Sequence, residues 1–287
     1  MNCGENTVRG SKWYLDHWLW LEAFVLSNFA FLTFDIYLAH SVNEFRQPME
    51  YAPLYFSVSA PVVLLAALVA RWFGLIPVWR DLGFLVGWLA VAVGLIGVIL
   101  HLDSSFFDDR TIKSLVYAAP FAAPLAYTGL GLLLIMNRMT GDNAREWAYW
   151  VLLLALGGFV GNFVFSLTDH AQNGFFYASE WIPVATSALA VGFLATPFLT
   201  PVARPFLRLI AAVLLLQAAV GLLGFYFHAA ANLRGPSNRM FENFVHGAPV
   251  MAPLLFPNLV LLAAMGLWVL DRCMQDVTPP DSTPVPA

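Results

Sequence analysis

The chain has 287 residues, of which 60% are hydrophobic and 11% charged, with a mean hydropathy of +0.71. A soluble domain carries roughly 25% charge, so these residues cannot cover a water-facing surface, and lipid is the natural solvent. The net charge is −4 and no basic run exists, which removes nucleic acid as a partner.

Residues 1–17 form a short polar lead. The apolar stretch after them carries Glu22 and Asp35, and no small-residue cleavage site follows it. It therefore reads as a first membrane span and not as a removable leader. Stretches long enough to cross hydrocarbon, about 20 residues each, follow in order: 18–40, 51–73, 82–101, 115–137, 147–168, 181–200, 205–229 and 247–271. Backbone in lipid must satisfy its own hydrogen bonds, so each span is helical. The expected fold is an all-α polytopic membrane bundle of about eight transmembrane helices. The tail after residue 272 is Pro-rich and reads as disordered. Cys3 and Cys273 lie at opposite ends of the chain and form no metal-ligand motif.

Orientation follows the Lys/Arg bias. One side holds nine: Arg9, Lys12, Arg71, Arg80, Arg138, Arg145, Arg204, Arg208 and Arg272. The other holds five: Arg46, Arg110, Lys113, Arg234 and Arg239. The first side is expected in the cytoplasm with both chain ends, as in a multi-pass protein of a cell's inner membrane.

The chain repeats itself. Gly94-Leu-Ile-Gly97-Val-Ile-Leu-His101 matches Gly221-Leu-Leu-Gly224-Phe-Tyr-Phe-His228. Tyr117-Ala-Ala-Pro120-Phe-Ala-Ala-Pro124 matches His246-Gly-Ala-Pro249-Val-Met-Ala-Pro253. His40 precedes Glu50-Tyr-Ala-Pro53 by the same ten residues that separate His170 from Glu180-Trp-Ile-Pro183, and Asn43 and Asn173 each follow their His by three. A four-helix unit used twice, 18–140 and 141–272, accounts for both matches. Halves of like topology are related by an axis along the membrane normal.

The repeat gathers five of the six histidines at the outer boundary: His40, His101, His170, His228 and His246. Glu50 and Glu180 open helices on that same side. Glycines at i and i+3 with a histidine at i+7 share one helix face, and glycine there lets a neighbouring helix approach closely. Ionisable groups at membrane depth point to function by default. Imidazole and carboxylate suit iron, copper, zinc or manganese. His101 and His228, equivalent under the repeat, could hold the two axial positions of a haem b. Alternatively His40, Glu50 and His101, with His170, Glu180, His228 and His246, could hold two bare copper or iron ions. Asp35, Asp103 and Asp169 are candidates to orient the imidazoles. A helix C-terminus favours cations and an N-terminus favours anions, so each group also has a purely structural explanation.

The run Phe244-Val-His246-Gly-Ala-Pro-Val-Met251 resembles the His-Gly-x-x-x-Met helix of haem–copper oxidase catalytic subunits and of related nitric-oxide-response haem proteins. The resemblance covers one helix of eight, and the family's adjacent histidine pair and twelve-helix length are absent here. It implies haem or copper and carries no activity with it. Three functions stay open: a redox or metal-cofactor protein exchanging electrons with quinol or a periplasmic carrier, a proton- or ion-coupled transporter using the same His/Glu cluster, and an assembly subunit without chemistry.

Overall fold

The computed structural model describes residues 16–141 and 143–275. Residues 1–15 of the N-terminal lead, Cys3 among them, and most of the Pro-rich tail lie outside them. The described residues form helices and turns, with no strand among them. The first half comprises α1 (His17–Ser41), α2 (Tyr51–Trp72), α3 (Ile76–Asp103), the short α4 (Phe106–Asp109) and α5 (Ile112–Val116), and α6 (Leu125–Met139). The second comprises α7 (Ala144–Gln172), α8 (Trp181–Leu199), α9 (Arg204–Leu233), α10 (Met240–His246) and α11 (Leu255–Gln275).

Among the described residues seven helices are long and apolar enough to cross a membrane. Large apolar side chains such as Trp72, Tyr55 and Leu215 stay exposed on their outer faces, as lipid contact requires. The expected fourth span, 115–137, is not one helix. The chain unwinds between α5 and α6, and α6 has only fifteen residues. Pro120 and Pro124 are the cause. Neither has an N–H, so the helix cannot propagate through them and starts afresh after Pro124. At 1.5 Å per residue α6 covers about 22 Å, short of a hydrocarbon core about 30 Å thick. Pro249 and Pro253 impose the same late start on α11.

Each half closes as a ring of four helices: α1–α2–α3–α6 and α7–α8–α9–α11. The rings meet where α6 packs on α7 and α1 on α11. The repeated glycines sit at close helix crossings. A Cβ on Gly94 would stand 2.9 Å from the Pro124 carbonyl oxygen, and one on Gly221 2.7 Å from that of Pro253. Between the rings the side-chain amides of Asn28 and Asn258 hydrogen-bond each other in both directions.

The halves differ at the end opposite the repeated histidines. Arg138 Nη2 donates to Glu22 Oε1 at 2.6 Å, with both side chains fully buried. Trp79 donates its indole N–H to the other carboxylate oxygen at 3.2 Å, and the Arg138 guanidinium lies 3.8 Å from the centre of that indole ring. Gly83 makes room, since a Cβ there would fall 2.3 Å from Arg138 Nε. Counted from the matched histidines and prolines, the second half has Leu152, Leu267, Phe206 and Ile210 in place of Glu22, Arg138, Trp79 and Gly83. An ion pair in one half is plain hydrocarbon in the other.

Candidate functional site

Every long helix of the first ring offers one polar group at the same end. α1 ends with His40, the turn before α2 ends with Glu50, α3 carries His101 near its C-terminus, and the unwound lead into α6 presents the carbonyl of Pro120. The second ring repeats the set with His170, Glu180, His228 and Pro249.

The geometry repeats as well. His40 Nδ1 lies 3.8 Å from Glu50 Oε2, and His170 Nδ1 lies 3.7 Å from Glu180 Oε2. These four side chains are about 15% exposed. In each glutamate Oε2 is buried and accepts no hydrogen bond. The ring centres of His40 and His101 are 6.3 Å apart, and those of His170 and His228 6.5 Å.

His101 Nδ1–H donates to the Pro120 carbonyl at 3.0 Å, and His228 Nδ1–H to that of Pro249 at 2.9 Å. A carbonyl only accepts, so these bonds fix the proton on Nδ1 and leave Nε2 as the lone-pair nitrogen. Each carbonyl already accepts a backbone N–H three residues on, from Ala123 at 3.0 Å or Ala252 at 3.2 Å, and the Pro-x-x-x-Pro spacing leaves its second lone pair to the histidine. The carbonyl's ordinary helical donor would be the N–H four residues on, and that residue is Pro124 or Pro253.

A second repeated device covers each cluster. After α1 the chain reads His40-Ser-Val-Asn43-Glu-Phe45, and after α7 His170-Ala-Gln-Asn173-Gly-Phe175. The amide N–H of Phe45 and of Phe175 donates back to the carbonyl of His40 and His170, at 3.3 and 3.1 Å. Both phenylalanines adopt left-handed backbone, φ 50° and 51°, at a cost of roughly 1–2 kcal/mol each. Their rings stack on Tyr51 and Trp181 at 4.8 and 3.9 Å between centres and lie 5.9 and 6.2 Å from the His40 and His170 rings. Strain kept in both halves at one spot marks a constrained place. The His-x-x-Asn-x-Phe pattern was visible in the sequence, although only its His and Asn draw attention there.

The expected site residues thus sort by half. His40, Glu50 and His101 come together, as do His170, Glu180 and His228. Among the described residues no ring contact joins His101 to His228. His246 stands apart on α10, exposed and 3.5 Å from Glu242, beside a 310 Å³ cleft shared with Tyr37, Ser41 and Phe45 of the first half. Of the aspartates, Asp169 lies near His170, His228 and Glu180. Asp35 lies toward Tyr127, and Asp103 is exposed. Among the described residues no three His, Cys, Asp or Glu side chains already stand arranged to grip a metal ion.

Comparison with known protein families, with characterised proteins and with solved structures gives no match to this chain.

Proposed function

We propose that the protein is a multi-pass membrane metal-binding protein with two ion sites, one at the same end of each four-helix ring. His40, Glu50 and His101 serve the first, and His170, Glu180 and His228 the second. The observation that carries this reading is the set of hydrogen bonds from His101 to Pro120 and from His228 to Pro249. A metal-binding histidine characteristically gives its other ring N–H to a carbonyl or carboxylate, and here both halves keep that arrangement beside a buried carboxylate oxygen that lacks a partner.

Two imidazoles on one tetrahedral ion have ring centres about 5 Å apart. Ion binding therefore draws each histidine pair together by a little over an ångström, with the glutamate completing three ligands. Two nitrogens and one carboxylate oxygen suit iron or copper. The Lys/Arg bias puts both sites at the outer face of a cell's inner membrane, where such ions would exchange electrons with quinol or a soluble carrier.

The test is the metal content and visible spectrum of the full chain purified in detergent and reloaded with Fe(II) or Cu(II). Two ions per chain are expected, one in His101→Ala or His228→Ala, and none in the double variant. A haem absorption band lost in those variants would replace the bare ion with haem b. Protein that stays metal-free after reloading overturns the proposal.

A further inference from the structure

Directly inward of the second cluster lie buried, unpaired side-chain amides that the first ring lacks among the described residues. Along α7, Asn162, Ser166 and His170 recur every four residues on one face. Asn162 is 6% and Ser166 8% exposed. Across the ring on α9, Gln217 shares the stripe of Gly221, Gly224 and His228 and is completely buried. Its amide nitrogen donates to the Thr186 carbonyl of α8 at 2.7 Å. That leaves Gln217 Oε1, an acceptor, and Asn162 Nδ2, a donor, both buried and both without a partner in the protein.

The first ring has Leu32, Ile36 and Ala90 at the positions of Asn162, Ser166 and Gln217. Of its buried hydroxyls at this depth Thr128 Oγ1, packed against Gly94, has no partner, but the others satisfy each other and, among the described residues, no unpaired amide faces Thr128. Ser57 and Tyr127 share a hydrogen bond, and Tyr127 donates to the Pro53 carbonyl at 3.1 Å. Two sealed rings would have served a purely structural repeat.

We propose that the second ring holds buried water molecules between Asn162 and Gln217, reaching toward His170, and that the first ring holds none there. An unpaired buried amide costs several kcal/mol in an apolar surrounding. Internal water is the usual remedy where donor and acceptor groups converge. At 1.5 Å per residue Asn162 lies about 12 Å inward of His170, and Gln217 about 16 Å inward of His228. The file stops at Phe159, which is completely buried one turn further in. The proposed waters thus form a dead-end file and not a pore. They give the His170–Glu180–His228 cluster a proton store within the membrane. The duplicated clusters therefore differ in proton access, whatever they bind.

The fold provides its own control. Phe29 occupies in the first ring the position of Phe159 in the second, and both are 0% exposed. Hydroxyl radicals produced by X-ray pulses in the full chain, reconstituted in lipid nanodiscs, mark side chains that touch internal water. Mass spectrometry should find Phe159 labelled several-fold more than Phe29. Asn162→Leu with Gln217→Ala, which installs the first ring's own residues, should bring Phe159 down to the level of Phe29. Equal labelling of the two phenylalanines in the unmodified chain overturns the proposal, as does labelling of Phe159 that survives the double substitution. The unmodified chain decides the matter even if the variant fails to fold, and neither arm depends on metal.

Discussion

His101 is bonded through Nδ1 to the carbonyl of Pro120 at 3.0 Å; that oxygen also accepts the Ala123 N–H at 3.0 Å, and its second lone pair stays open to the histidine because Pro124 has no N–H to offer it. Two prolines that interrupt a membrane helix thereby set the tautomer of a histidine on the neighbouring helix. Pro124→Ala restores the competing backbone donor. Under the metal-binding reading, affinity at the first site should fall about 10-fold, the size typical of losing a ligand's orienting bond. Pro253→Ala should do the same to the second site alone. Metal titration of each variant, with the opposite site removed by His228→Ala or His101→Ala, measures the effect.

The ion pair of Glu22 and Arg138 predicts a non-additive stability pattern. Removing one member leaves a charge fully buried and should cost about 3–5 kcal/mol. Glu22→Leu or Arg138→Leu alone should therefore lower the thermal midpoint sharply. The double substitution installs the second half's Leu152 and Leu267 pair and should recover most of the loss. A double variant as unstable as the sum of the singles would show that the pair is not the source of the cost.

Glu44 has φ 57°, and its counterpart in the second half is Gly174 with φ 64°. Left-handed backbone costs a side-chain-bearing residue roughly 1–2 kcal/mol, while glycine costs roughly 0.5–1 kcal/mol in chain entropy. Glu44→Gly should thus stabilise slightly, seen as a small rise in melting temperature. Phe45→Gly relieves the same strain but removes the ring stacked on Tyr51, and should destabilise on balance.

The glycines separate into two groups. A Cβ on Gly221 would meet Pro253, Phe256 and Pro257 within 2.7 Å, so Gly221→Ala should cost about 1–3 kcal/mol through overpacking. A Cβ on Gly192, in α8, meets nothing within 4 Å. Gly192→Ala should stabilise by about 0.5–1 kcal/mol through helix propensity and chain entropy. Unfolding in detergent with a mild denaturant series reads both.

Spans and repeat were legible because lipid demands long apolar helices and duplication preserves spacing. The fourth span was misjudged because hydropathy runs smoothly across Pro120 and Pro124, whereas the backbone cannot. The polar residues stood out by type and position, and equivalence suggested joining His101 to His228. Equivalence under a two-fold axis says nothing about distance. Adjacency comes from ring closure, which puts α1, α2 and α3 side by side and so groups His101 with His40 and Glu50. His246 aligned with Tyr117, and both face outward as exposed residues, so the repeat gave that pair no common destination. The polar file of Asn162 and Gln217 shows only when the halves are superposed, because neither residue stands out in its own helix.

The mutual amide bond between Asn28 and Asn258 bears on which half recognises which. Under the repeat, the first half's Asn28 corresponds to Gly158, and the second half's Asn258 to Gly129. Two copies of the first half joined in the same way would set asparagine against glycine, and so would two copies of the second. In either mismatch an amide is stranded without its mate, a penalty that steers pairing by repulsion as well as attraction. If the ancestral unit was a homodimer, this contact marks the point at which the fused halves became obligate and unlike partners.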